Sequence, residues 1–268
     1  MPRPLLTTDI RGQLVFLGTG TSVGVPMIGC GCEVCTSSNT KNCRTRCGLA
    51  LGLPEGNLLI DTTPDLRQQL LRERIGLAHA VAFTHDHADH VFGLDDVRVF
   101  YFYLGHKLPI YCEDFVEQRL RASFDYAFTP EAANYAGGVP QITFHEISPG
   151  VPFELLGAWI TPLRLHHGRF RVLGFRIGNI AYCTDTNHIP PESLPLLAGL
   201  DVLILDALRA RPHVSHYSLD EAVEMARALG AKRTYFTHMG HELEHDATNA
   251  ILPSGMELAY DGLRLPLT

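Results

Sequence analysis

The segment Thr84-His85-Asp86-His87-Ala88-Asp89-His90 sets four candidate metal donors, His85, His87, Asp89 and His90, within six residues. Imidazoles and carboxylates are costly to desolvate, and a divalent cation is the strongest available compensation. A His-rich surface turn is the plain alternative, but H-x-H-x-D-H is a specific pattern. A second group lies upstream in Gly29-Cys30-Gly31-Cys32-Glu33-Val34-Cys35. Three thiolates on one tight hook supply three corners of a tetrahedral zinc site and need a fourth ligand from elsewhere. As free thiols at this density they would be prone to oxidation.

The elements that must carry these groups read as alternating strands and helices. Short apolar runs at Gln13–Leu17, Leu58–Ile60, Ala80–Thr84, Pro109–Tyr111, Trp159–Leu165, Leu173–Ile177, Ile180–Cys183, Val202–Leu205 and Thr234–Thr237 predict strands. Pro64–Arg74 and Ser218–Leu229 predict amphipathic helices, the second opened by a Ser218/Glu221 capping box. The mixture implies an α/β class. Residues Asp125–Pro149 read as an irregular insertion, too short and aromatic for a linker, so one domain over residues 1–268 is expected.

Composition narrows the function. The chain has 268 residues, 46% hydrophobic and 19% charged, enough to bury a sizeable core. A net charge of -7 lacks the basic surplus of a phosphate-neutralising nucleic-acid binder. No apolar run approaches 18 residues, which argues against a membrane-spanning helix. The first residues show no secretory signal, so a cytoplasmic protein is expected. The 14 His and the odd count of 7 Cys point to metal rather than disulfides.

The His/Asp segment resembles the signature of the metallo-β-lactamase superfamily, and Leu58-Leu59-Ile60-Asp61-Thr62 resembles that family's strand-then-Asp element. Pro162–His167, Tyr182–Thr186 and Tyr235–His238 come next in the family's order. The resemblance runs from about Leu17 to Asp261. It implies a four-layer αβ/βα sandwich with two divalent cations, zinc or manganese. His85, His87 and His167 would hold one, Asp89, His90 and His238 the other, and Asp185 would bridge them. His166 competes with His167, and the spacing to Gly174-Phe175 favours His167. Two cations a few ångströms apart turn a shared water into hydroxide and clamp an anionic substrate. Asp61 is an outer acceptor for a ligand imidazole.

Within the superfamily the Cys hook resembles that of the phosphoribosyl cyclic phosphodiesterases of phosphonate degradation. The resemblance implies a structural zinc on Cys30, Cys32, Cys35 and His241, and extends to Leu252-Pro253-Ser254-Gly255 and Tyr260-Asp261-Gly262. In that subfamily a His at the place of His216 faces the leaving group, and the spacing to the next helix favours His216 over His213. A His titrating near neutrality suits protonation of a departing alkoxide.

The expected function is therefore a dinuclear-metal phosphodiesterase acting on a small, perhaps cyclic, phosphate ester through a metal-bridging hydroxide, with Asp89 and His216 in the catalytic set. A tRNA 3′-processing nuclease of the same superfamily is the alternative, but no extended arm interrupts the chain. A β-lactamase or thioester hydrolase fits the hook and the Leu-Pro-Ser-Gly tail less well. A non-catalytic cofactor-biosynthesis relative would have a depleted ligand set, whereas all seven positions are filled here. Cys43 and Cys47 read as free thiols or an accessory pair outside the mechanism, and Cys112 and Cys183 as buried apolar residues. His79, His106, His145, His188 and His245 read as surface or core histidines. The run Val97–Leu104 is a pocket wall or a homodimer face.

Overall fold

A strand buried on both faces carries apolar residues at every position rather than at alternate ones. The stretch Gly48-Leu-Ala-Leu-Gly-Leu53, all six residues buried, is such a strand. In the computed structural model, which describes residues 4–129 and 137–267, it is β2 of a seven-stranded sheet. That sheet contains β1 (Gln13–Gly18), β2 (Gly48–Leu53), β3 (Gly56–Ile60), β4 (Ala80–Ala82), β5 (Leu108–Cys112) and β6 (Ile142–Glu146). A second contains β7 (Phe153–Leu155), β8 (Ala158–His167), β9 (Phe170–Ile177), β10 (Ile180–Cys183), β11 (Val202–Asp206), β12 (Arg233–Thr237) and β13 (Met256–Leu258). The chain's last strand, β14 (Arg264–Pro266), returns to the first sheet beside β1.

The sheet orders are β14-β1-β2-β3-β4-β5-β6 and β13-β12-β11-β10-β9-β8-β7. Strands β3 to β6 are mutually parallel, as are β10 to β13. Alternate residues sort the layers. Leu14, Phe16, Leu58 and Ile60 meet Leu173, Phe175, Tyr182 and Ile204 between the sheets. Each such Leu, Ile or Phe contributes roughly 1.5–3 kcal/mol by burial. Val15, Leu17, Leu59 and Val81 face outward onto α1 (Leu66–Glu73), α2 (Ala88–Val91) and α4 (Asp114–Ser123) through Leu66, Leu70, Val91, Val116 and Leu120. A further helical turn, α3 (Tyr101–Leu104), precedes β5. On the other side Leu163, Leu203, Leu205 and Phe236 receive Leu219, Ala222 and Ala226 of α5 (Leu219–Leu229). The result is the expected four-layer αβ/βα sandwich.

The Ser218/Glu221 box caps α5 as expected, with the Ser218 amide donating to Glu221 at 2.8 Å. The insertion is less irregular than its composition suggests. Residues 130–136 lie outside the described set, but Ile142–Glu146 pairs in parallel with β5 as an edge strand. No helix among the described residues is long and apolar enough to cross a membrane. In the run Val97–Leu104, Val97 and Phe100 are core residues, whereas Val99, Phe102 and Tyr103 are exposed.

His245, at the start of α6 (His245–Ile251), is buried against the Tyr260 ring and accepts from Asn249 Nδ2 at 3.1 Å. Burial, with Lys41 and Arg44 nearby, pulls its pKa from 6.5 to about 4. Between those values the unfolded chain binds the extra proton. Stability contributed here is full above about 6.5 and is lost as pH falls towards about 4. In denaturant titrations His245→Gln should therefore show a shallower loss of stability over that window than the parent. Parallel pH profiles would remove His245 from the account.

Candidate metal centre

Parallel strands all point the same way, so the residues at their C-terminal ends gather at one edge of a sheet. Asp61 comes directly after β3, His85 and His87 after β4, Asp185 after β10, and His238 after β12. His167 and Asp206 are the last residues of β8 and β11. A hydrogen bond from the Leu173 amide to the Thr84 carbonyl, 2.9 Å, ties the two sheets together at this edge. Asp61, Asp185 and His238 all have left-handed backbones, with φ of 66°, 49° and 58°. Each such turn costs about 1–3 kcal/mol and persists only where the surroundings over-determine it.

Asp61 shows how that is done. Its fully buried carboxylate accepts from the Thr84 amide at 2.8 Å, from Thr84 Oγ1 at 2.8 Å and from His90 Nδ1 at 2.7 Å. The last bond leaves His90 Nε2 aimed away, the outer-acceptor role anticipated from the sequence. His167 is oriented in the same manner, Nδ1 donating to the Ser215 carbonyl at 2.7 Å.

The donors form two adjoining groups. His85, His87 and His167 bring one ring nitrogen each within 4.8 Å of one another. His90, His238, Asp185 and Cys47 likewise bring one donor atom each, two ring nitrogens, a carboxylate oxygen and a thiol sulfur, within 4.8 Å of one another. Asp185 lies between the groups, its oxygens 3.1 Å from His90 Nε2, 3.2 Å from His238 Nε2 and 4.0 Å from His85 Nε2. Asp89 reaches the second group at 3.3 Å from His90 Nε2 and 3.8 Å from His238 Nε2. His166 joins neither group and instead pairs with His188 across an isolated bridge.

These residues fit metal ions. His85, His90 and His238 each bury an Nε2 with no hydrogen-bond partner, an arrangement native structures avoid unless something else fills the valence. The electrostatics agree. Burial opposes charge on His90, yet Asp185, Asp89 and Asp61 outweigh it and hold the imidazole well above its ordinary pKa. Against the same opposition, Asp185 and Asp89 raise His238 to about 9. The carboxylates thus call for positive charge where these rings meet. His85, buried beside the other histidines, is pushed the opposite way, to a neutral imidazole able to donate its lone pair.

His216 packs against both donor groups, its ring stacked on His238 at 4.6 Å and set against His167 at 4.5 Å. Nδ1 donates to fully buried Asp206 at 2.7 Å, leaving Nε2 free of that bond. His213 stands further out, 5.2 Å from His216. Two residues here have no role assigned by sequence reasoning. Asp206 carries a visible signal, an Asp ending an apolar strand as Asp61 and Asp185 do. Cys47 carries none. Its buried thiol lies 3.3 Å from Thr184 Oγ1 and 3.8 Å from Asp185 Oδ2, beside the second donor group rather than outside the site. Cys43 is exposed and elsewhere, and Cys112 and Cys183 are buried as expected.

The hook closes on His241. Cys30, Cys32 and Cys35 place Sγ at 3.3, 3.2 and 3.6 Å from its Nδ1. Ligands of a tetrahedral zinc with normal Zn–S and Zn–N bonds are about 3.5 Å apart, so these four residues fit that ion. The Cys35 amide, donating to Cys32 Sγ at 3.5 Å, helps lower the Cys32 thiol to about 6, towards the thiolate a metal requires. The Gly-rich turn ahead of the hook threads between two backbones. A Cβ on Gly18 would lie 2.0 Å from the Arg46 carbonyl, and the Met239 amide donates to Thr19 O at 2.9 Å. Fully buried Arg44 braces the same region, donating to the carbonyls of Gly240 and Leu243 at 2.8 and 2.6 Å. Cys32→Ser should lower metal content by about one ion per chain. An accompanying loss of about 3 kcal/mol corresponds to an apparent Tm drop of roughly 6–12 °C. Unchanged metal content and melting would mean the hook is not a zinc site.

With this geometry in place, comparison with known proteins decides the family. Residues 56–239 match the β-lactamase superfamily domain. The chain belongs to the β-lactamase superfamily. It is similar to a new diphosphatase from the PhnP family, with 43% identity, a TM-score of 0.88, and coverage of 96% of this chain and 98% of that one. The superfamily hydrolase anticipated from the His/Asp signature is thus borne out. An octanoyltransferase of Porphyromonas gingivalis is 36% identical over 254 residues, 94% of this chain but 51% of the relative. The chain therefore spans about half the length of that protein. Zn(2+)-bound PqqB from Methylobacterium extorquens, at 20% identity and TM-score 0.75, covers 95% of this superfamily member and 100% of its own chain, and shares the fold.

Proposed function

We propose that this superfamily member is a dinuclear-metal hydrolase of small phosphate esters, cleaving a phosphodiester or diphosphate bond. The observation that carries the reading is the Asp185 carboxylate, lying between an all-histidine group and a carboxylate-rich one. His85, His87 and His167 would hold one cation, Asp89, His90 and His238 the other, with Asp185 common to both. Bound there, the ions would supply Lewis-acid charge to the phosphoryl oxygens and acidify a water. Asp61 and the Ser215 carbonyl hold the His90 and His167 rings in their donating tautomers. His216 is the general acid. As water oxygen bonds to phosphorus it gives up a proton to solvent, while the bond to the leaving oxygen breaks and its electron pair takes the proton from His216 Nε2. Asp206 keeps that ring directed into the site.

The 43% identity to a diphosphatase supports phosphate chemistry over thioester or lactam hydrolysis. The filled donor set argues against a purely structural metal protein. A nuclease would need a surface for a long polyanion, and the net charge of -7 gives no support to one. The test is turnover with added Mn²⁺ or Zn²⁺ of bis(p-nitrophenyl) phosphate, 2′,3′-cyclic nucleotides, ribose 1,2-cyclic phosphate, a diphosphate diester, a thioester and nitrocefin. Hydrolysis confined to phosphate esters, with about three metal ions per chain, is expected. Turnover of the thioester or nitrocefin alone would overturn the reading.

A further inference from the structure

Beside the donor groups is a cavity of about 230 Å³ lined by Arg169, Phe170, Arg171 and Val172 together with Phe115, His85, His87 and Asp86, whose carboxylate is already paired with Arg119. Among the described residues neither the Arg169 nor the Arg171 side chain has an ion pair or hydrogen bond. The Arg169 guanidinium lies over the Phe170 ring, 5.0 Å from its centroid. Arg119 and Arg211, by contrast, are paired with Asp86 at 3.2 Å and Glu242 at 2.8 Å. Two uncommitted guanidiniums at the mouth of a site on a net acidic chain are a local inversion of charge, which attracts and orients anions. Phe170 is 46% exposed and Phe115 37%, so two aromatic faces are open to the same space. Phe170 also touches the His87 ring edge-on at 5.4 Å, which joins this cavity to the first donor group.

The hairpin that presents them is fixed. His167 pairs directly with Phe170 across β8 and β9. The Gly168 amide donates to Asn187 Oδ1 at 2.8 Å, and Asn187 Nδ2 donates onward to the Val214 carbonyl at 3.2 Å. The arginines therefore stand on the same braced hairpin as His167, which is tied to the loop carrying His216.

We propose that this cavity is a subsite for a second phosphate group, so that the favoured substrate is a nucleoside-diphosphate-type ester. Arg169 and Arg171 take the distal phosphate, and Phe170 and Phe115 flank the planar base of the same ester. The inference rests on the phosphate-ester reading above and adds the distal group. A volume of about 230 Å³ suits a small group and not a polymer.

The test compares Arg169→Ala, Arg171→Ala and the double variant with the parent on ADP-ribose and on bis(p-nitrophenyl) phosphate, which has no second phosphate. Each substitution should lower kcat/KM for ADP-ribose roughly tenfold to a hundredfold, chiefly through KM, the scale of one charge-assisted contact. The effect on bis(p-nitrophenyl) phosphate should stay within about twofold, and Arg171→Lys should recover part of the loss. Equal losses on both substrates, or none on ADP-ribose, overturn the subsite. Failure of the parent to hydrolyse either compound would instead overturn the phosphate-ester reading. Calorimetric binding of ADP decides the subsite independently of turnover. Roughly tenfold weaker binding by the double variant supports it, and equal binding overturns it.

Discussion

Asp185→Ala should reduce phosphate-ester hydrolysis by roughly a thousandfold or more while leaving one tightly held ion per chain. The carboxylate is 2% exposed and within 4.0 Å of ring nitrogens from three histidines, so no water can take over its role. Its removal takes a negative charge from the point where the carboxylates around His90 and His238 call for positive charge. A shared ligand would affect both ions, so metal analysis should show losses from both donor groups but not from the hook, where the three cysteines and His241 form a separate donor group. Asp185→Asn, which keeps shape and tolerates a left-handed backbone, separates charge from strain. If Asn restores folding stability but not metal content, charge is what mattered. Full activity in the Ala variant would contradict a dinuclear mechanism.

His216→Gln carries the second large effect, about 10²- to 10⁴-fold in kcat, and its size should depend on the leaving group. An alkoxide cannot depart without a proton, whereas p-nitrophenolate can. The loss should therefore be large for an alkyl ester and smaller, by about tenfold or more, for bis(p-nitrophenyl) phosphate. Asp206→Asn should show the same leaving-group signature at lower amplitude, because Asp206 positions the ring through Nδ1 without meeting substrate. His216 also stands within ligand distance of His167 and Asp185. Were it a metal ligand, metal content would fall and the loss would be the same for every leaving group. That pattern would remove it from proton transfer.

Most of the site is legible in the sequence because its donors end apolar strands, and strand-end His and Asp residues stand out against their runs. His85, His87, Asp89, His90, His167, Asp185 and His238 can all be named without coordinates, and the structure brings every one of them to a single edge. The strands that escape sequence reasoning have no periodic signature. β2 is apolar at all six positions, so it shows neither the alternation of a half-buried strand nor the length of a helix. Without that strand Cys47 stays hidden, because it precedes β2 and is carried into the site by its pairing with β1 and β3. β6 is obscured by neighbouring turn residues, and β7, β13 and β14 are only three residues each. Asp261 stands out in the sequence as part of a motif but without a role. The fold shows it to be a bracket, accepting from the amides of Thr19 and Thr45 at 2.9 Å each and from both hydroxyls. Such long-range polar ties cannot be read from spacing.

The seam between the sheets governs how the molecule matures. Strands β3 and β4 and the turn after them bring one share of the donors, and β8, β10 and β12 bring the other. Neither sheet by itself presents a complete coordination sphere. On the dinuclear reading, ion capture would therefore wait until the two halves have docked, and a captured ion would then work as a rivet across them, resisting separation by RT ln(1 + [L]/Kd). Free cation concentration would then become a dial on the lifetime of the closed sandwich, and starving the protein of metal should favour species in which the halves have parted.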